Sequence, residues 1–336
     1  MNLRRLGRGA AFALLGLSLV FLIGPRNAEL AWEPLPKPAP LPAQLSGLDA
    51  YLAAAEARLG NVTPGTEKHI VWGPQGQQKA PWAVVYLHGF TATRHEIAPL
   101  PEKVAEALGG HVFYTRLSGH GQPGEAMGQA TLAHWKADAQ EALRIGHQLG
   151  ERVLVIGNST GATLSAWLAQ REEGAGVAGW VLVSPNFGPK NRWAQIINWP
   201  WGRQLARLLQ GAEQNEAPRN ALKARFWTHR YPTEALFPMM ALVKQVNDSA
   251  LESIKAPTLM MLSPRDTIID VEAARAAYAR LGSANKRLSE IDFSESLNQH
   301  VLAGDIEAPA ATAPMAAQIV EFARGLNPAA SQTASR

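Results

Sequence analysis

The sequence contains no cysteine among its 336 residues. Disulfide bridges, thiolate catalysis, cysteine-ligated zinc and iron–sulfur clusters are therefore excluded. Because no thiol is present, the sequence gives no redox evidence for either side of a membrane. Charged residues are also few, at 18%, whereas hydrophobic residues reach 46%. This balance supports a large apolar core and argues against disorder.

Acidic residues are missing from the first 28 positions, which hold four arginines and account for the whole formal net charge of +4. The rest of the chain carries 28 basic and 28 acidic residues and is neutral. A basic excess confined to one end does not indicate a nucleic-acid-binding domain. No nucleic-acid partner is therefore expected.

Long apolar runs are scarce, and the one that stands out spans residues 10–23, just after three arginines. Fourteen residues match the apolar part of a secretory signal and are short for a membrane-spanning helix. Cleavage after Ala28 would put Arg26 at the −3 position, which favours small residues. A cleaved signal and an uncleaved signal anchor both stay open. Either one predicts that the folded domain lies outside the cytoplasm, periplasmic or extracellular, anchored to the membrane or secreted.

The remaining chain alternates apolar runs of strand length with helical patterns of 10–18 residues. Strands are expected at 69–73, 82–87, 111–116, 152–156, 179–184, 257–262 and 286–293, and helices at 96–108, 132–149, from within 157–161 to about 171, 271–281 and 314–325. Alternation of this kind predicts an α/β fold, with a mostly parallel sheet and helices on both faces. Pro101 is expected to disturb the first turn of the helix at 96–108.

The alternation stops between residues 186 and 255, a stretch rich in aromatic residues and methionine. We predict a helical cap there, with those side chains lining an apolar pocket. The expected organisation is 1–28 signal anchor or signal peptide, 29–45 proline-rich linker, 46–326 α/β domain with the cap at about 186–255, and 327–336 flexible tail. The linker is expected to be a semi-rigid spacer between membrane and domain.

The strongest chemical signal is the segment GNSTG at residues 157–161, which follows an apolar strand and precedes a helical pattern. A G-x-S-x-G motif in this setting predicts a sharp strand-to-helix turn that exposes the Ser159 hydroxyl at the carboxyl end of the sheet. The same turn places that hydroxyl at a helix N-terminus, where backbone N–H groups favour developing negative charge.

A serine hydroxyl needs a base to remove its proton. His300, in the loop after the last predicted strand, is the preferred base, with His88 and His120 as weaker candidates. Asp266 directly follows a strand and is the preferred carboxylate for holding the histidine tautomer. Asp270 is its rival, although it suits the N-cap of the helix that starts at residue 271. The order is Ser, Asp, His.

These segments resemble the alpha/beta-hydrolase superfamily, and more closely its capped carboxylesterase and monoacylglycerol-lipase-like branch. The matching pieces are YLHGF at 86–90, RLSGHG at 116–121, GNSTG at 157–161, SPRD with Asp266 and NQHV with His300, and they span about residues 69–325. The resemblance implies that the backbone N–H groups of Phe90 and Thr160 form the oxyanion hole. The turn departs from many family members at Asn158 and Thr160, so no subfamily is assigned.

The expected reaction is hydrolysis of a carboxylic ester through an acyl-enzyme, without metal or organic cofactor. Cap aromatics favour an apolar or lipid-derived small-molecule substrate, and the N-terminal segment favours the membrane as a partner. The same residues would also serve a thioesterase, an amidase or peptidase, or a C–C bond hydrolase. A non-catalytic ligand-binding protein of the same fold is the alternative from another class.

Overall fold

The computed structural model describes residues 3–326, so the predicted tail at 327–336 lies outside the described residues. Its strands are β1 (His69–Val71), β2 (Ala80–Leu87), β3 (His111–Tyr114), β4 (Gly150–Asn158), β5 (Gly179–Val183), β6 (Glu213–Asn215), β7 (Arg230–Pro232), β8 (Thr258–Leu262) and β9 (Lys286–Glu290). Its α-helices are α1 (Leu3–Leu22), α2 (Leu48–Ala57), α3 (Leu100–Leu108), α4 (Glu125–Gln129), α5 (Leu132–Leu149), α6 (Thr160–Leu168), α7 (Gly202–Gln210), α8 (Ala221–Phe226), α9 (Leu236–Asp248), α10 (Val271–Arg280) and α11 (Pro309–Arg324).

The main sheet of the described residues has seven strands in the order β1-β3-β2-β4-β5-β8-β9. Only β1 runs antiparallel to its neighbour, and the other pairs are parallel. The central strands are buried on both faces, which explains their continuous apolar runs. The predicted fold class, a mostly parallel sheet within an α/β architecture, is confirmed.

Two apolar layers cover the sheet, one on each face. Val85 and Leu87 of β2 join the layer that contains buried residues of α5, α6 and α10. Val84 and Tyr86, which alternate with them, join the layer formed with α3 and α11. The two-residue period of a strand thus sends successive side chains into different cores.

Several element boundaries differ from the sequence expectation. The helix expected at 96–108 is a 3-10 turn at Arg94–Glu96 followed by α3, which starts at Leu100 with Pro101 in its first turn. A proline is tolerated there because the first helical N–H groups have no intrahelical partner. The final helix begins at Pro309 and accommodates Pro314, which the sequence interpretation had placed at its start. Helix α2 was not expected at all.

Between β5 and β8 the chain leaves the sheet and forms a 3-10 helix at Arg192–Asn198, helices α7, α8 and α9, and an antiparallel pair of short strands, β6 and β7. Phe237 and Met240 pack with Ile197 and Ala206 in a small core of their own. We call residues 186–255 the cap. Its β6–β7 pair was not anticipated from the sequence.

The chain from residue 24 to residue 42, which we call the strap, lies against the cap and α5. Asn27 Nδ2 donates to Asn198 Oδ1 at 2.9 Å and to the Phe237 carbonyl at 3.0 Å. The Leu132 N–H, at the start of α5, donates to Glu29 Oε2 at 2.7 Å. These contacts hold the strap on two different parts of the fold.

Helix α1 precedes the strap, and the placed side chains of its apolar residues are exposed. It has no acidic residue in its first turn. Within residues 3–326, no helix combines the length and the apolar character needed to cross a membrane.

Candidate active site

The candidate nucleophile lies at the turn between β4, which ends at Asn158, and α6, which begins at Thr160. Ser159 has a φ of +52°, a conformation that a non-glycine residue adopts only under strain. A Cβ added at Gly161 would lie 1.9 Å from the Leu87 carbonyl oxygen, so only glycine fits against β2. The strained serine and the close backbone approach are the features expected of a nucleophile elbow.

The candidate acid and base are in direct contact. His300 Nδ1 lies 2.8 Å from Asp266 Oδ2. The other carboxylate oxygen accepts hydrogen bonds from the N–H groups of Ile268 and Ile269, at 2.7 and 3.0 Å. The Asp266 side chain is fully buried and that of His300 is 8% exposed. This arrangement fixes Nδ1 as the protonated nitrogen of neutral His300 and leaves Nε2 available as a base.

Asp270, the rival carboxylate, caps α10, because its Oδ1 accepts from the N–H groups of Glu272 and Ala273. The Ser159 hydroxyl makes no hydrogen bond to His300 within the described residues, although all three candidate side chains lie at the carboxyl edge of the sheet. Catalytic hydrogen bonds are often long or poorly aligned until substrate binds, so this separation is compatible with a nucleophile–base pair.

The two candidate oxyanion donors lie at this same edge. Phe90 follows β2 and Thr160 is the first residue of α6. Neither backbone N–H has a protein acceptor in the described part of the chain. Free N–H groups beside a strained serine are the arrangement that stabilises a tetrahedral oxyanion.

His88 shapes the loop that carries Phe90. Its Nε2 accepts from the Leu117 N–H at 3.0 Å and its Nδ1 lies 2.9 Å from the Gly89 carbonyl, so Nδ1 carries the proton. Burial lowers the pKa of His88 to about 4, which keeps the ring neutral at physiological pH. Because both ring nitrogens are occupied, His88 cannot serve as the base.

His120, the other histidine considered, is buried with its ring 5.0 Å from that of His88. Burial also lowers its pKa well below the usual range. It packs against Phe90 and Trp135, with ring centroids 6.1 and 5.5 Å apart. His120 therefore belongs to the aromatic cluster that packs behind Phe90. The histidine in contact with Asp266 is His300.

The expectation that cap aromatics line an apolar pocket requires correction. Trp193 is exposed, and Phe237 and Met240 are buried within the cap. Tyr231, however, meets Phe90 edge-to-face at 5.4 Å between centroids. The cap aromatics therefore divide between the cap core, its exposed surface and the contact with Phe90, and do not together line one apolar pocket.

Sequence reasoning missed a buried carboxyl beneath the oxyanion loop. Glu96 Oε2 accepts from the Gly89 N–H and from the Tyr86 hydroxyl, each at 2.7 Å. The sequence made Glu96 the first residue of the helix predicted at 96–108, and nothing in that pattern indicated a buried contact with Gly89. Among residues 3–326, no group of three or more histidine, aspartate and glutamate side chains is arranged to hold a metal ion.

Comparison with known proteins agrees with this geometry. The family model described as "Serine aminopeptidase, S33" (Hydrolase_4) matches residues 78–293, well over half of the chain. A thermostable monoacylglycerol lipase from Bacillus sp. (strain H-257) is 27% identical over 232 residues, which are 69% of this chain and 88% of that protein.

Solved structures of lipolytic proteins share the fold. One, from work on LipS and LipT, two metagenome-derived lipolytic enzymes, superposes with a TM-score of 0.62 at 23% identity, covering 78% of this chain and 99% of the other. The monoacylglycerol lipase of Paleococcus ferrophilus gives 0.58 at 19% identity, covering 78% and 100%. The chain belongs to the Hydrolase_4 (S33) family and is an alpha/beta-hydrolase, as the motifs predicted.

Proposed function

We propose that the protein is a serine hydrolase that cleaves carboxylic esters, with Ser159 as nucleophile, His300 as base and Asp266 as the supporting carboxylate. The observation that carries the proposal is the buried 2.8 Å contact between Asp266 and His300 at the sheet edge where Ser159 occupies its strained turn. A histidine held by a carboxylate at the same sheet edge as a strained serine turn has the composition of an acyl-transfer site.

In the proposed reaction, His300 removes the Ser159 proton as Oγ attacks the ester carbonyl. The oxyanion is stabilised by the N–H groups of Phe90 and Thr160, each worth about 3–4 kcal/mol in such sites. His300 then protonates the leaving alkoxide. A water molecule, activated by the same histidine, releases the acid and regenerates the serine.

Labelling with a fluorophosphonate and hydrolysis of short p-nitrophenyl esters test this proposal. Ser159→Ala should abolish both, whereas Ser289→Ala, on the distant strand β9, should retain both. A folded wild-type sample that neither labels nor hydrolyses any ester would contradict the proposal and favour a non-catalytic binding protein.

For the substrate class, we propose an apolar or lipid-derived ester. The monoacylglycerol lipase relative supports this choice, whereas the family description, serine aminopeptidase, supports amide or peptide bonds as the second candidate. A panel of monoacylglycerols, acyl thioesters and aminoacyl anilides separates the two. A kcat/KM that is higher for anilides than for esters would overturn the ester assignment.

For localisation, we propose that the N-terminal segment directs the domain beyond the membrane and anchors it, with release by cleavage as the alternative. The clustered arginines and the exposed apolar side chains of α1 support this. Because the chain has no cysteine, Trp32→Cys (86% exposed in the parent chain) and Asn2→Cys are unique labelling sites. A membrane-impermeant maleimide added to intact cells should label Trp32→Cys and leave Asn2→Cys unlabelled. If both variants are labelled only after the cells are lysed, the proposed topology is wrong.

A further inference from the structure

A buried carboxyl that the triad does not use lies beneath the loop after β2. Glu96 is 2% exposed and ends the 3-10 turn at Arg94–Glu96. Its Oε2 accepts two hydrogen bonds of 2.7 Å, from the Tyr86 hydroxyl and from the Gly89 N–H. A carboxyl removed from water in this way is normally retained only where its contacts are needed.

Glu96 also lies beside three of the segments that form the candidate site. A Cβ on Gly89 would lie 2.6 Å from Glu96 Oε1 and 3.2 Å from Ser159 Cβ, so the three residues meet at one point. On its other side, a Cβ on Gly304 would lie 2.9 Å from the Glu96 carbonyl oxygen. The Gly304 loop follows His300, which places Glu96 between the oxyanion loop, the serine turn and the histidine loop.

Two side chains hold the Gly89 backbone from opposite sides. Glu96 accepts the N–H of Gly89, and His88 Nδ1 donates to the Gly89 carbonyl at 2.9 Å. The carbonyl of Gly89 and the N–H of Phe90 belong to one planar trans peptide, so they point in opposite directions. Fixing the Gly89 residue at both ends therefore fixes the direction of the Phe90 N–H.

The charge state of Glu96 is set by opposing contacts. Burial raises its pKa, whereas the Tyr86 hydroxyl, the Gly89 N–H, the charge of His300 and the Asn158 amide lower it, with burial dominant. Accepting the Gly89 N–H requires only a carbonyl-type oxygen, so the neutral and the ionised acid can both do it.

We propose that Glu96 is a positioning residue for the reaction, which accepts the Gly89 N–H and so aims the Phe90 N–H at the developing oxyanion. This rests on the proposed serine hydrolase function. It assigns to Glu96 no contact with the substrate. Loss of the Glu96 side chain should impair the orientation of one oxyanion donor and leave substrate binding unchanged.

The test compares Glu96→Gln, Glu96→Ala and Glu96→Asp with the wild type, using Tyr86→Phe as the matched control for loss of a neighbouring contact. Glu96→Gln keeps an acceptor oxygen and should retain kcat within about threefold, whereas Glu96→Ala should lose about 10²-fold in kcat with KM little changed, the loss seen for one oxyanion donor. Glu96→Asp keeps the carboxyl group but shortens the side chain, so kcat should fall at least about tenfold. This variant keeps the test informative if Glu96→Ala does not fold. Tyr86→Phe leaves the Gly89 contact in place and should stay near wild type.

A trifluoromethyl ketone, which forms a tetrahedral adduct with the serine, gives a readout that a purely structural role would not move. Its Ki should rise in Glu96→Ala and Glu96→Asp in proportion to the fall in kcat/KM, because both depend on the oxyanion hole. Wild-type kcat in Glu96→Asp, or an equal loss in Glu96→Gln, would overturn the proposal. Failure of the proposed function itself would differ, since the wild type would then neither hydrolyse esters nor react with a fluorophosphonate.

Discussion

Different kinds of contact hold the strap and the carboxyl edge of the sheet, which carries the candidate site and which we call the catalytic edge. At the edge, Asp266, His88 and Glu96 are buried, and each makes at least two polar contacts. Along the strap most residues are exposed. Asn27 and Glu29 make side-chain hydrogen bonds there, and Leu30, Leu35 and Leu41 pack half-buried against the main core. Buried polar groups with several partners thus fix the sheet edge, whereas separate and partly exposed contacts hold the strap.

The difference teaches where strain can be tolerated. Ser159 keeps its φ of +52° because β2, β4 and α6 surround it with backbone that cannot move. No residue of the strap, by contrast, has a positive φ, and most of its side chains are exposed. Substitutions at the edge should therefore change chemistry or global stability, while those in the strap should act locally.

The largest contrast is expected between the two aspartates near the end of β8. Asp266→Asn should lower kcat by about 10⁴-fold, because the amide favours the wrong tautomer of His300. Asp270→Asn should stay near wild type, since asparagine is an equally good N-cap for α10. Steady-state kinetics on one ester measures both, and equal losses would refute the assignment of Asp266.

Two glycines sharpen the comparison in terms of stability. A Cβ at Gly161 meets the Leu87 backbone at 1.9 Å, whereas one at Gly24, in the strap, meets Nε1 of the Trp201 indole ring at 2.1 Å. Gly161→Ala should cost about 4 kcal/mol or more of the free energy of unfolding, because backbone cannot yield. Gly24→Ala should cost about 2 kcal/mol, because the partly exposed Trp201 side chain can move, at the expense of its hydrogen bond to the Val20 carbonyl. Urea titration distinguishes them, and a similar cost at both sites would contradict the argument.

Acid should weaken the catalytic edge first. Burial lowers the folded-state pKa of His88 to about 4 from 6.5, so the unfolded chain takes up this proton first as the pH falls. The stability that neutral His88 contributes, at most roughly 3 kcal/mol, is therefore present above pH 6.5 and lost toward pH 4. The free energy of unfolding should drop between pH 7 and pH 5 in the wild type.

A pair of histidine variants isolates this effect. His88→Gln should reduce the pH dependence, because one of the two buried histidines whose pKa is lowered is gone and His120 remains. His134→Gln, at an exposed position where glutamine suits the capping box of α5, should leave the slope unchanged. An unaltered slope in His88→Gln would show that other groups dominate the acid sensitivity.

The smallest effect is expected in the strap. Asn27→Ala leaves Asn198 Oδ1 and the Phe237 carbonyl without their donor, at a cost of about 1–2 kcal/mol. The loss should be local, with kcat unchanged and faster tryptic cleavage at the exposed Arg26. A large loss of kcat would mean that the strap is coupled to the catalytic edge and would break the comparison.

Much of the fold could be predicted because its signals are local. The helix at 132–149 was predicted with its observed bounds, since a threonine cap and an amphipathic period define it within the segment itself. The turn at Ser159 was equally local, with an apolar strand, two glycines and a helical pattern in direct succession. The two core layers then follow from the alternation of strands and helices. The strand order, in which β3 lies between β1 and β2, was not predicted from it.

The sequence by itself determined the α/β class, the candidate serine and the set of acids and histidines from which its partners are drawn. Only the tertiary structure decided among them, because Asp266 and His300 meet across 34 residues of chain and Asn27 reaches Asn198 across 171. Glu96 is close to Gly89 in sequence, yet its proposed role could not be predicted either, because that role depends on the 3-10 turn that places the Glu96 carboxyl beneath Gly89. Periodicity reports on which face a residue occupies, whereas a hydrogen bond depends on where separate segments come to lie once the core has packed.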